Sequence, residues 1–289
     1  MSLHHHQRHR TETRRLFLRC SALSLRRFAA AVLVIVGLSA CGSDEIAYFE
    51  QPVEDLYNEA MDQMLSNNFA AAAVAFDEVE RQHPYSVWAT KAQIMTAFSN
   101  YQNNQYDEAI LAARRFISLH PGNRDVDYAY YLVAISYYEQ ISDVGRDQRM
   151  TELAFEALEE IVRRFPDSVY ARDATLKINL TRDHLAGKEM EIGRYYQSSG
   201  QHIAAINRFR NIIEKYQTTS HVPEALLRLT ESYLALGVTD EAQATAAVLG
   251  HNFPGSEWYQ DSYALLTGVD LRPEVDGESW ISRAWNSVF

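Results

Sequence analysis

The 289-residue chain has only two cysteines, Cys20 and Cys41, and the 248 residues beyond Cys41 have none. This excludes a disulfide framework, a thiolate nucleophile and a cysteine-bound metal over most of the length, so the fold must rest on its apolar core. Glycine and proline are scarce, at 12 and 7 residues, which excludes a loop-rich or collagen-like chain. There is no Gly-x-Ser-x-Gly, no His-Glu-x-x-His and no phosphate-binding glycine loop. His83, His120, His184, His202, His221 and His251 are scattered, and Glu159-Glu160 and Asp240-Glu241 read as ordinary exposed helix charges. No catalytic constellation, metal site or cofactor motif is therefore expected. No apolar run is long enough for a comfortable membrane span; Phe28 to Leu38 comes nearest.

Basic charge is lacking wherever the fold is expected. Seven of the 27 basic residues and one of the 38 acidic ones lie in residues 1–40, which leaves residues 41–289 at a net charge of -17. Such a surface argues against a nucleic-acid partner.

The basic block from Arg8 to Arg27, the apolar run and then Leu38-Ser39-Ala40-Cys41 resemble a bacterial lipoprotein signal. That resemblance implies removal of residues 1–40 and acylation of Cys41, with two or more chains giving a lasting hold on a membrane. Gly42 follows the cysteine, and in Gram-negative lipoproteins a residue other than aspartate there implies sorting to the outer membrane. Residues 41–52 read as the lipidated end and a polar tether, with Pro52 opening the first helix.

Residues 53–267 carry an internal repeat. Ala72, Ala109, Ala154, Ala205 and Ala242 share one frame, with proline twelve residues on at Pro84, Pro121, Pro166 and Pro254, and Gln217 at that place in the fourth copy. Twelve residues before the alanine lies another small residue: Ala60, Ala97, Gly193 or Thr230, and Ala134 once eight residues are looped out. Small residues let two helices approach closely, and the proline ends the second helix. The alanines are 37, 45, 51 and 37 residues apart, as for one unit with insertions of eight and fourteen. The expected fold is all-α, a tetratricopeptide-like superhelix of about five helix-turn-helix units closed by a helix from about Glu257.

The turns are expected at Asn67-Asn68, Asn103-Asn104, Gly200 and Gly237. Leu56, Tyr57, Ala60, Met64 and Leu65 read as the first buried stripe. The eight extra residues are read as a self-paired, solvated loop, Ser142 to Arg149. The fourteen are read as a first helix broken or bent near Gly187. In the third unit, Tyr131, Ile135 and Tyr138 share one side and Tyr130, Ala134 and Tyr137 another. One side must be core; the other either packs as well or lines a groove for an extended peptide, with Tyr130, Tyr137 and Tyr85 as candidates. In the fourth unit, Ile206, Phe209, Ile212 and Ile213 form the buried stripe, which turns Asn207, Arg208 and Arg210 outward. Residues 268–289 form a Trp-rich tail whose Trp280, Ile281, Ala284 and Trp285 make a short amphipathic stripe, to dock on a partner or back onto the array.

The junctions His83-Pro84-Tyr85-Ser86 and Phe165-Pro166-Asp167-Ser168, the run Val126 to Tyr131, Tyr195-Tyr196 before Gly200, and Ala205-Ile206-Asn207-Arg208-Phe209 together resemble the BamD family of outer-membrane protein assembly lipoproteins. The resemblance spans about Cys41 to Leu266, and the order of these segments carries it. It implies a lipid-anchored scaffold of the β-barrel assembly machinery, without enzymatic activity or cofactor. Such a scaffold binds the periplasmic domains of BamA, other Bam lipoproteins and unfolded outer-membrane barrel proteins. It also implies a BamA contact at Arg208, beside Asn207. The short insertion before Ala154 and the Trp-rich tail depart from enterobacterial members and suit an alphaproteobacterial type. Two other readings share much of the pattern: a lipoprotein for secretin or pilus assembly, and a Tol-type envelope coordinator, which is usually soluble and so fits Cys41 less well. An accessory subunit of peptidoglycan synthesis is a third.

Overall fold

The computed structural model describes residues 50–274 and 279–286. Residues 1–49, with the expected signal and Cys41, lie outside the described residues. Those described contain helices and no strands. Five helix pairs follow one another: α1 Val53–Leu65 with α2 Phe69–Gln82, α3 Val87–Gln102 with α4 Tyr106–Leu119, α5 Val126–Tyr138 with α6 Arg149–Arg164, α7 Val169–Ser198 with α8 His202–Lys215, and α9 Val222–Ala235 with α10 Thr239–Asn252. Helix α11, Glu257–Thr267, covers the last pair, and α12, Trp280–Asn286, follows. Each helix from α1 to α10 packs on the next, and the first helices of successive units also touch.

The repeat frame is the packing frame. Ala72, Ala109, Ala154, Ala205 and Ala242 are all completely buried, as are Ala60, Ala97, Ala134 and Thr230 across from them. At Gly193 any Cβ would overlap the ring of Phe209, so this crossing needs glycine. The turns use left-handed backbone where expected: φ is 61° at Asn67, 59° at Asn104 and 74° at both Gly200 and Gly237. Ser86 and Ser168 each cap the first helix of a pair, and Ser256 caps α11, by accepting a backbone N–H.

Three expectations need correction. In α1, Leu56 and Ala60 are buried but Leu65, the last residue of the helix, is exposed. The fourth unit's first helix does not break. Helix α7 runs unbroken for 30 residues, and Gly187 sits inside it, where its missing side chain leaves room for His221 and Val144. The fourteen extra residues thus lengthen a helix, about four turns' worth.

The eight-residue insertion is a loop, but charge pairing does not organise it. Helix α6 already starts at Arg149, and the buried Gln148 amide donates to the carbonyls of Asp143, Val144 and Arg146 at 3.1–3.2 Å. Lys188 of α7 ties the loop down through the Gly145 carbonyl at 3.0 Å.

Candidate partner-binding surfaces

The fourth unit presents Asn207 and Arg208 from α8. Burial of Ala205, Ile206, Phe209, Ile212 and Ile213 leaves Asn207 exposed and Arg208 partly so. The Arg208 side chain is 40% exposed, and its guanidinium meets Glu189 of α7, whose side chain is 17% exposed, at 3.4 Å. That separation is long for a hydrogen bond and engages only one guanidinium nitrogen, so the remaining donors are open to a further acceptor. Arg210 is not turned outward in the same sense. It stacks on the Trp280 ring at 4.1 Å and pairs with Glu214 at 3.3 Å. The tail causes this: α12 packs onto α8 and α10, burying Ile281 completely and most of Trp285.

Tyr130 and Tyr137 line one cleft of about 290 Å³ between α4, α5 and α6. They are seven residues apart on α5 and so share a face. Tyr137 is largely buried, 5.7 Å from the Arg114 guanidinium. Tyr130 packs on Phe165 at 5.4 Å and its hydroxyl accepts from Arg164 Nη1 at 3.0 Å. Tyr85 is fully exposed in the turn between α2 and α3 and is not part of this cleft.

A second aromatic surface escaped the sequence reading. On the first helices, Tyr131 stacks on Tyr170 at 4.9 Å, and Tyr128 lies 5.1 Å from the same ring. The Tyr131 hydroxyl donates to Asp173 at 2.6 Å, and Lys177 pairs with Asp173 at 2.9 Å. Burial pushes Tyr128 and Tyr131 well above the ordinary tyrosine range, and Asp173 adds to the effect on Tyr131. Tyr101 on α3 is pushed up to about 12, by burial first and then by Glu139. Burial works to raise Asp173, yet the Tyr131 hydroxyl and Lys177 hold it below its usual value. The signal was there in the 42-residue step from Tyr128 to Tyr170, but the insertion between them hides the common register.

A larger hollow, about 650 Å³, lies between α7 and the turn before α9, where Leu176 and Leu180 are exposed beside Asp183 and His221. Among the described residues no cluster of His, Cys, Asp and Glu is spaced to hold a metal ion, and no helix is long and apolar enough to cross a membrane.

Repeated helix pairs with a closing helix define the class of tetratricopeptide-like helical-repeat proteins. Residues 49–264 match the outer membrane lipoprotein (YfiO) family. The outer membrane protein assembly factor BamD of Caulobacter vibrioides is 52% identical over 251 residues, covering 86% of this chain and 82% of that protein. BamD of Rickettsia prowazekii is 44% identical over 246 residues, covering 84% and 98%. BamD of Neisseria meningitidis serogroup A is 36% identical over 248 residues, covering 80% and 93%. The chain belongs to the BamD family of outer membrane protein assembly factors.

Proposed function

We propose that the protein is a non-enzymatic scaffold of the β-barrel assembly machinery, held by acylated Cys41 at the periplasmic face of the outer membrane. It binds the periplasmic domains of BamA through Asn207 and Arg208, gives other Bam lipoproteins a place to attach, and receives unfolded barrel proteins on its N-terminal units. Of the aromatic candidates for those unfolded segments, Tyr85 stands fully exposed, while Tyr130 and Tyr137 share the cleft between α4, α5 and α6. The observation that carries the BamA contact is the Arg208 guanidinium, rigidly based on α8 yet only loosely paired with Glu189. A carboxylate from a partner gains a charge-assisted hydrogen bond there without breaking a strong internal one.

Replacing Arg208 by glutamate puts a repulsive contact in that place and beside Glu189. Co-purification with BamA is expected to fall about tenfold or more for Arg208→Glu, as for loss of a charged hydrogen-bonded contact, with an unchanged helical circular dichroism spectrum. Undiminished recovery of BamA with this variant removes Arg208 from the contact.

A further inference from the structure

The tail helix displays what a cleft between second helices can hold. On α8 and α9, the Trp280 indole lies over the Arg210 guanidinium at 4.1 Å and donates Nε1 to the Tyr233 hydroxyl at 2.9 Å, and it packs against the core cluster that holds the fully buried Ile213. Within the repeat, Arg210 stands five residues after Ala205, Ile213 eight after it, and Tyr233 three after Thr230. The same positions in units 2 and 3 hold Arg114 and Ile117, five and eight after Ala109, and Tyr137, three after Ala134. All three line the cleft between α4, α5 and α6. Here Ile117 is only partly buried and Arg114 is exposed. Among the described residues Arg114 has no ion-pair partner and the Tyr137 hydroxyl no hydrogen-bond partner.

The rest of the cleft differs, and the differences limit what fits. Trp285 is seated against Phe253 and donates to Asn252 at 3.1 Å. The corresponding Phe165 is covered by Tyr130, and Arg164 stands in the place of Asn252. Gln217, which donates to the Ala284 carbonyl at 3.2 Å, is replaced by Pro121. One indole seat is therefore repeated and the second is filled. The facing wall also changes character: Ala244 and Val248 of α10 correspond to Glu156 and Glu160 of α6. Glu160 is paired with Arg164 at 2.8 Å, whereas Glu156 is exposed and has no ion pair among the described residues.

We infer that the cleft between α4 and α6 docks a short basic helix of a partner protein, anchored by one tryptophan that lies on Arg114 and donates to the Tyr137 hydroxyl, with a lysine or arginine facing Glu156. The inference rests on the proposed function only in treating this cleft as a contact surface. It assigns the cleft to a folded helix, not to an unfolded barrel segment.

The test uses the full-length protein in detergent and a fluorescein-labelled, helix-stapled peptide with the sequence of residues 279–286 carrying W285R. Saturable anisotropy binding is expected. Arg114→Ala, at an exposed site that leaves the fold intact, should weaken it about tenfold through loss of the cation–π contact. Tyr137→Phe should weaken it about fivefold through loss of the acceptor. Alanine in place of the peptide's Trp280 should abolish binding. Absence of saturable binding, or binding indifferent to both variants, overturns the inference. So does displacement of the helix by an extended barrel C-terminal peptide whose own binding needs Arg114, which returns the cleft to substrates. Self-association of the protein that Arg114→Ala abolishes assigns the cleft to a second copy and overturns it equally. Recovery of BamA by Arg114→Ala, expected unchanged, separates failure here from failure of the proposed function.

Discussion

Units 1 to 3 and units 4 to 5 distribute their apolar residues differently. The second half of α7, both later helix pairs, α11 and the tail share one continuous cluster that runs from Ala186 to Trp285. The first three units divide theirs among three smaller clusters, centred on Phe76, on Phe116 with Leu132, and on Leu158 with Ile161. The second of these contains Tyr137 and has Tyr101, Tyr128, Tyr131 and Tyr138 packed against it, the last two also touching the third. A continuous core opens as one cooperative body, whereas separate smaller clusters open locally at lower cost. The difference teaches where rigidity and adaptability lie. The C-terminal units suit a fixed contact such as that proposed at Arg208, and the N-terminal units suit the varied contacts proposed for unfolded segments.

Removing the seal on the larger core is expected to have the greatest effect. Trp285→Ala should cost about 3–5 kcal/mol, as for other buried aromatic truncations, and lower the melting temperature of the C-terminal units. Little change in a thermal melt would mean that the tail adds nothing to that core. Overpacking in the first unit should cost less. Ala72→Leu, at a completely buried crossing, is expected to cost about 1–3 kcal/mol. Hydrogen exchange should then rise mainly in α1 to α3, and a uniform rise through α8 to α10 would erase the distinction between the halves.

The smallest expected effect is an alkaline one. Tyr101 has a folded-state value of about 12, above the ordinary value of ~10. Its contribution is fully present below pH ~10 and is lost as pH rises through ~12, because the unfolded chain ionises first. Protection in α3, α5 and α7 should thus fall at a lower pH in wild type than in Tyr101→Phe. Identical pH profiles by hydrogen exchange would sever the tyrosine face from the stability of these units.

The repeat was legible because steric demand at a helix crossing fixes residue size: the alanines and their small partners are the buried contacts. The turns were legible because left-handed backbone selects asparagine and glycine. The fate of the insertions was less so. Gly187 reads as a breaker in isolation, but its role depends on His221, which approaches from another element. Gln148 gave no sign that its amide would gather three loop carbonyls. At the candidate sites, helical periodicity put Tyr130 and Tyr137 on one face and left Asn207 and Arg208 outward. It could not place Arg210 under Trp280, a contact between residues 70 apart in the chain.

The central claim is most directly tested by a mild-detergent pulldown from outer membranes, with wild type beside Cys41→Ala and partners identified by mass spectrometry. The account predicts recovery of a BamA-type barrel protein with wild type and its reduction or loss when the anchor is removed. Recovery of secretin, pilus or Tol components without such a protein would contradict it.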